Sequence, residues 1–147
     1  MNQSQQSAWW KESVIYQVYP KSFYDSNNDG VGDIPGIIAK LPYLKTLGIT
    51  LIWVSPFYRS PGADNGYDIA DYYAVNPDLG QMQDVDNLIK QAGELGIEVV
   101  VDLVVNHTSD EHPWFQAALA DPQSKYRDYY IFKPASAGGA PNNWRSI

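Results

Sequence analysis

The chain alternates between two patterns of apolar residues, one typical of strands and the other of helices. Nearly continuous apolar runs of strand length cover residues 14–19, 49–54 and 97–105. The interior of the third run is almost wholly apolar, as in a strand that is covered on both faces. After residue 107 the pattern predicts only a short helix over 113–119, followed by an irregular region over 121–147.

Two helices are predicted between these strands. The first ends before Gly48 and has its apolar face on Ile37, Ile38, Leu41, Leu44 and Leu47. Pro42 lies inside this helix, which predicts a kink or a late start. The second helix begins near residues 83–84 and ends before Gly96. The order strand, helix, strand, helix, strand predicts an α/β fold, a βαβαβ unit with a parallel sheet and right-handed crossovers.

Composition narrows the class of protein. The 147 residues suit one domain, and a hydrophobic content of 44% favours a buried core over a disordered chain. A net charge of −7 argues against a nucleic-acid backbone or an anionic membrane as partner. The polar N-terminus lacks the apolar run that a signal peptide or membrane span needs, and cysteine is absent, so we expect a cytoplasmic protein.

An acidic loop at residues 25–33 (DSNNDGVGD) places oxygen-bearing groups at alternate positions around a glycine turn. The candidate ligands of a hard cation are the side chains of Asp25, Asn27, Asp29 and Asp33 and the main-chain carbonyl of Val31. Their spacing matches the first nine places of a calcium loop, but Gly36 stands where an EF-hand has Glu. The loop is therefore predicted to bind Ca2+ or Mg2+ within some other fold. The alternative is a solvated turn, because Asn, Asp and Gly also favour turns.

Polar side chains collect just beyond the C-terminal ends of the predicted strands, where parallel α/β proteins keep their sites. Residues 64–68 (DNGYD) follow the second strand, and Asn106 and His107 follow the third. Asp102 lies within the third apolar run, where its charge is costly to bury unless it is hydrogen-bonded or paired. It is therefore either a satisfied structural carboxylate or a substrate contact. His107 is either a residue that fixes a loop or part of a site.

Seven segments have distinctive sequence motifs: residues 14–23 (VIYQVYPKSF), 25–33, 53–58 (WVSPFY), 64–69 (DNGYDI), 102–108 (DLVVNHT), 126–131 (YRDYYI) and 141–144 (PNNW). Taken in this order, they resemble the start of an α-amylase-family glycoside hydrolase. The subgroup that they resemble contains oligo-1,6-glucosidases, dextran glucosidases and α-glucosidases.

This resemblance implies a TIM-type (β/α)8 barrel with a domain inserted after the third strand. Residues 1–107 are expected to form the N-terminal part of the catalytic barrel, with its first three strands and two helices. Residues 108–147 are expected to begin the inserted domain. In this family the Asp nucleophile, the Glu acid/base and a stabilising Asp lie on later strands. The segment is therefore expected to contain no catalytic residue and to be inactive alone.

The resemblance also implies roles for the polar residues. Asp64, Tyr67 and His107 are expected to line the pocket for the terminal glucose, by binding hydroxyls, stacking on the sugar and donating a hydrogen bond. Asp102 and Asn106 are expected to support this pocket. The acidic loop is expected to hold one structural Ca2+ or Mg2+. The implied partners are a small α-gluco-oligosaccharide and the rest of the barrel.

The implied activity is the retaining release of terminal glucose from short α-glucosides, of the oligo-1,6-glucosidase or α-glucosidase type. One alternative is an isomerase or transglycosylase of the same family, similar to trehalose synthase. A second is a non-catalytic module that binds sugar or metal, or has only a structural role. The joint presence of Asp64, Tyr67, Asp102 and His107 favours an active enzyme, because a non-catalytic descendant has no need of the full pocket.

Overall fold

The computed structural model describes residues 8–136 and 139–143, and the chain divides into two units, Met1–Ser109 and Asp110–Ile147. This division lies two residues beyond the boundary predicted between 107 and 108. That the second unit begins an inserted domain stays a prediction.

The first unit is organised around a parallel sheet. Its strands, in chain order, are β1 (Ile15–Val18), β2 (Leu51–Val54), β3 (Tyr58–Arg59), β4 (Asp71–Val75) and β5 (Glu98–Val101). The parallel sheet has the order β1-β2-β5, with Ile15 opposite Leu51 and Leu51 opposite Glu98. Each of these three strands lies inside one of the predicted apolar runs, so the parallel βαβαβ order is confirmed.

Helices follow the first two strands of this sheet. They are α1 (Pro20–Phe23), α2 (Ile34–Thr46) and α3 (Met82–Glu94), and a short 3-10 turn precedes them at Trp9–Glu12. Helices α2 and α3 pack against each other. The core that they share with the sheet includes the fully buried Val18, Ile34, Ile37, Leu41, Leu44, Ile52, Val54 and Leu88. Within the described part of the chain, no helix combines the length and apolar character needed to cross a membrane.

Helix α2 begins early and runs through Pro42. The Asp33 side chain caps its N-terminus by accepting a hydrogen bond from the Gly36 N–H at 2.6 Å. Ile34 and Ile37 in the first turn are both fully buried. The prediction of a late start is therefore wrong, because the cap and this apolar burial favour the first turn although Pro42 later removes one backbone donor.

The third strand of the parallel sheet is shorter and more exposed than predicted. Strand β5 ends at Val101, so Asp102 follows the strand and does not lie within it. Val100 and Val101 are 42% and 41% exposed, and Leu103 beyond them is 83% exposed. The prediction that this run is covered on both faces is wrong for the described chain, because Val100 on one face and Val101 on the other both keep about two fifths of their surface exposed. Strand β5 also pairs only with β2 and forms an edge of the sheet.

An antiparallel hairpin lies where the sequence predicts only a long loop. Strands β3 and β4 pair through Tyr58 and Val75, and the register shifts between Tyr58 and Arg59. The ring of Tyr58 stacks on Phe57 at 5.0 Å between centroids. The hairpin brings together the two ends of the segment between β3 and β4, and this segment carries Asp64 and Tyr67.

The second unit contains helix α4 (Pro113–Ala120) and a 3-10 turn at Arg127–Tyr129. The predicted short helix is confirmed, and the rest of the described residues beyond it are irregular as predicted. The Arg127 guanidinium donates to the Ala118 carbonyl at 2.7 Å and covers the Phe132 ring at 3.4 Å. Trp144, which ends the last segment of the family resemblance, lies outside the described residues.

Candidate functional site

The predicted pocket residues Tyr67, Asp102 and His107 lie together at the C-terminal ends of the parallel strands. The Tyr67 hydroxyl donates to Asp102 Oδ2 at 3.2 Å. His107 Nε2 lies 3.0 Å from the main-chain carbonyl oxygen of Tyr67. The β3–β4 segment, which follows β2 in the chain, and the segment after β5 thus meet through two hydrogen bonds, as expected where β2 and β5 are neighbours in a parallel sheet.

Asp102 is half-buried and hydrogen-bonded by two donors. Besides Tyr67, the indole Nε1–H of Trp53 on β2 donates to the same oxygen, Oδ2, at 3.1 Å. These bonds reduce the cost of burying the carboxylate. Trp53 has no place among the residues predicted for the site. Its only sequence signal is an indole N–H inside an otherwise aliphatic strand.

The Tyr67 hydroxyl is held in its protonated form. Burial raises the pKa of Tyr67, and the negative charge of Asp102 raises this pKa further. The same two causes, in the same order, raise the pKa of Tyr58. Tyr67 therefore acts as a hydrogen-bond donor to Asp102 at neutral pH.

Both ring nitrogens of His107 have partners. Because the Tyr67 carbonyl can only accept, Nε2 carries the proton and donates to it. Nδ1 lies 3.3 Å from the Asn106 side-chain amide nitrogen, which donates to it. The Tyr72 hydroxyl lies 2.6 Å from the Val104 carbonyl and 3.1 Å from the His107 carbonyl, which anchors the same loop. The N–H that we expected to reach a sugar hydroxyl points here to a backbone carbonyl.

Asp64 is exposed on a loop that a neighbouring carboxylate organises. The Asp68 side chain accepts hydrogen bonds from the Ser60 hydroxyl and from the N–H groups of Ala63 and Asp64, at 2.8 to 3.0 Å. Burial raises the pKa of Asp68, but these hydrogen bonds lower it more, so the net pKa lies below its usual value. Asp68 is a positioning group that the sequence analysis missed, although it lies in the quoted segment 64–68.

The acidic loop is folded around its own carboxylates. Asp25 accepts from the N–H groups of Asn27, Asn28 and Gly30, while Asp29 accepts from the Val31 N–H and the Asn27 amide. The hydrogen bond from Gly30 is the main cause of a lowered pKa of Asp25. Asn28 and Gly30 adopt the left-handed backbone conformation, with φ of 64° and 92°. These are the bonds of a tight turn, and the carboxylates stay at its inner side.

The predicted cation ligands differ in exposure, although the oxygen atoms of all four side chains accept hydrogen bonds from nearby groups. Asn27 and Asp29 are exposed, whereas Asp33 is only 5% exposed and uses Oδ1 to cap α2 and Oδ2 to bind Ser26. In residues 8–136 and 139–143, no group of three or more His, Asp or Glu side chains is arranged to hold a metal ion. The donor set is nevertheless all oxygen, which fits a hard cation, and Asp33 is its least available member.

Comparison with known families identifies this architecture. Residues 17–147 match the alpha-amylase family, described as the alpha amylase catalytic domain. The chain belongs to the alpha-amylase family. This match and the parallel sheet confirm the predicted fold class, the N-terminal part of a (β/α)8 barrel.

Two curated relatives illustrate the similarity. The chain is 56% identical over 139 residues to an oligo-1,6-glucosidase of Parageobacillus thermoglucosidasius, covering 95% of this chain and 25% of the relative. It is 59% identical over 138 residues to a palatinase of Erwinia rhapontici, covering 93% and 25%. The chain thus spans about a quarter of the length of the curated relatives that it matches.

Solved structures give the same picture. The trehalulose synthase MutB of Pseudomonas mesoacidophila MX-45 is 48% identical with a TM-score of 0.93, over 95% of this chain and 25% of that one. A MutB mutant in complex with its substrate sucrose is 49% identical with a TM-score of 0.91, over 94% and 25%. These structures share the fold of this chain over nearly all of its length.

Proposed function

We propose that this chain supplies one wall of the glucose pocket in a retaining α-glucosidase of the oligo-1,6-glucosidase type. The observation that carries this proposal is the hydrogen-bonded group of Tyr67, Asp102 and His107 at the C-terminal ends of parallel strands. Relatives more than half identical to the chain include an oligo-1,6-glucosidase and a palatinase, which supports this substrate class.

Each pocket residue has a chemistry that suits a sugar. Asp64 is exposed and has no side-chain hydrogen bond to any described residue, so its carboxylate is available to sugar hydroxyls. Tyr67 uses its hydroxyl on Asp102, and its ring is left to stack on the apolar face of a sugar. His107 would exchange the Tyr67 carbonyl for a substrate oxygen and donate to it through Nε2.

Bond cleavage requires residues that this segment is not expected to contain. Retaining glycosidases use two carboxyl groups about 5 Å apart on either side of the scissile bond. The family resemblance assigns both groups to later strands. We therefore expect the 147 residues alone to release no glucose, and a full-length protein containing them to be the active form.

The test is product analysis with the purified full-length protein. Isomaltose, maltose, palatinose and sucrose are supplied separately, and glucose and new disaccharides are separated by chromatography. Glucose release without new disaccharides supports the proposed hydrolase. Isomerised disaccharide from sucrose as the main product would favour the isomerase alternative, which the similarity to trehalulose synthase makes a real competitor. Absence of both would favour the non-catalytic module.

Matched variants connect this activity with the pocket. Asp64→Asn is compared with Asp86→Asn, an exposed carboxylate on α3, and Tyr67→Phe with Tyr73→Phe, whose side chain is 91% exposed. We expect kcat/KM to fall in the two pocket variants and to stay at the wild-type value in the two controls. Equal effects in pocket variants and controls would contradict the assignment.

We also propose that the acidic loop binds one Ca2+ or Mg2+ with a structural role. The ligands would be oxygen atoms of Asp25, Asn27, Asp29 and Asp33 and the carbonyl of Val31. When bound, the ion would supply positive charge that balances three carboxylates within one short turn. All the ligands come from one segment, so the ion would order the loop without contacting substrate.

A further inference from the structure

Asp102 is held at one oxygen atom only. Trp53 Nε1 on β2 and the Tyr67 hydroxyl in the segment between β3 and β4 both donate to Oδ2, at 3.1 Å and 3.2 Å. The other oxygen, Oδ1, accepts no hydrogen bond from any residue that the structure describes. Two donors on one oxygen fix the rotation of a carboxylate about its last bond, and charge-assisted hydrogen bonds are the stronger kind.

Trp53 lies outside the core cluster that the sheet shares with α2 and α3. Its neighbours Ile52 and Val54 are fully buried and belong to the core cluster, whereas Trp53 is only partly buried and does not belong to it. Because side chains alternate along a strand, the indole lies on the opposite face of the sheet from Ile52 and Val54. Removing its N–H therefore changes the contact with Asp102 and leaves the core between the sheet and the helices unchanged.

We propose that Trp53 is a positioning residue of the pocket: its indole N–H holds the Asp102 carboxylate, which in turn holds the Tyr67 hydroxyl and ring. This inference rests on the proposed α-glucosidase function. Burial, and then the charge of Asp102, raise the pKa of Tyr67, so its hydroxyl keeps the proton that it donates to Asp102. The partner of Trp53 is not near it in sequence, since Asp102 lies 49 positions further along the chain.

Trp53→Phe in the full-length protein tests the proposal, because it keeps an aromatic ring and removes the N–H. We expect kcat/KM for isomaltose to fall about tenfold, the usual effect of losing one charge-assisted hydrogen bond. The control is Trp9→Phe, the same change at an indole that is 58% exposed, which should leave kcat/KM unchanged. The melting temperatures of the two variants should agree closely.

A double-mutant cycle with Asp102 distinguishes a positioning role of Trp53 from a purely stabilising one. In an Asp102→Ala background, which lacks the acceptor, Trp53→Phe should lower kcat/KM less than about twofold, because residues that act through one group are not additive. A full, additive loss in this background would overturn the proposal. The proposal would also be overturned if Trp53→Phe alone kept the wild-type kcat/KM. The same holds if its loss of kcat/KM came with a large fall in melting temperature.

A nuclear magnetic resonance measurement decides the geometry independently of turnover. The indole N–H signal of Trp53 is identified by its loss in Trp53→Phe. It should shift in Asp102→Ala and stay in place in Asp86→Ala, and titration with glucose should move it. If the full-length protein cleaves no α-glucoside, the proposed function fails while this signal still tests the contact. An unchanged signal in Asp102→Ala would overturn the inference.

Discussion

Replacing Asp33 with alanine tests what holds the acidic loop in place. Asp33 is 5% exposed, and its carboxylate receives the Gly36 N–H at 2.6 Å, the Ser26 hydroxyl at 2.7 Å and the Ser26 N–H at 3.2 Å. One side chain thus joins the start of the loop to the first turn of α2. Alanine removes all three acceptor contacts and leaves the backbone of both segments otherwise unchanged.

The expected cost follows from these contacts. Loss of an N-terminal helix cap destabilises a protein by about 1 kcal/mol. The cap bond here comes from the N–H of Gly36, which is buried, so losing its acceptor places the cost within about 1–3 kcal/mol. Ser26 is exposed, and its donors can turn to water at little cost. We therefore expect Asp33→Ala to lower the free energy of unfolding by about 1–3 kcal/mol.

Asp29→Ala is the matched control, because Asp29 is an exposed carboxylate of the same loop. With EDTA present, we expect it to cost less than about 1 kcal/mol, as is usual for surface positions. Both variants and the wild type are compared by urea denaturation of the full-length protein. Equal destabilisation by the two substitutions would refute the view that Asp33 carries the structural contacts of the loop.

Added Ca2+ extends the same experiment to the proposed ion. A cation that binds only the folded state raises the stability of the wild type by mass action. Asp29→Ala lacks one proposed ligand, so its gain from Ca2+ should be much smaller. If this variant gains as much as the wild type, the loop is a plain turn and the metal proposal is wrong.

Two further predictions concern helix glycines and the Asp68 loop. Gly36→Ala should destabilise the protein by about 1–3 kcal/mol, because a Cβ there overlaps the Tyr24 carbonyl. Gly93→Ala on α3 should stabilise it slightly, because the space around its Cβ is open. Thermal unfolding of the two variants tests this difference. Because folding lowers the pKa of Asp68 below the value of 3.8 expected in the unfolded chain, the ionised carboxylate should stabilise the fold at pH values above 3.8. This stabilisation should be lost as the pH falls through the pKa of Asp68 in the folded protein. Asp68→Asn should therefore flatten the acid side of the stability profile, and an unchanged profile would contradict this.

The main elements could be predicted because burying one face of a helix or strand requires apolar residues at a regular spacing in the sequence. Helix α2 buries Ile34, Ile37, Leu41 and Leu44 against the sheet, and this spacing is visible in the chain. Strands β1 and β2 appear as short apolar runs for the same reason. Where the end of an element depends on other contacts, the pattern fails. The apolar run that begins with β5 continues to Val105, but regular pairing with β2 stops at Val101.

The pocket could be predicted only in part. Asp64, Tyr67 and His107 follow strand ends, and this position in the chain marks them as candidates. Trp53 gave no such signal, because its partner Asp102 is 49 residues away and the contact depends on strand register. The β3–β4 hairpin was missed for a related reason. Its first strand has two residues, which is too short to show a period.

The pocket contacts also rank the residues that a sugar would meet. Asp64 has an exposed carboxylate, so binding a hydroxyl there replaces only water. Tyr67 keeps its hydroxyl on Asp102 and adds ring contacts without losing a hydrogen bond. His107 must leave the Tyr67 carbonyl before it can donate to a substrate oxygen, so one hydrogen bond is exchanged for another. Because such an exchange has a small net free energy, His107 should add little to ground-state affinity. Its contribution grows only where the substrate oxygen gains negative charge, which is the condition for acting on kcat more than on binding.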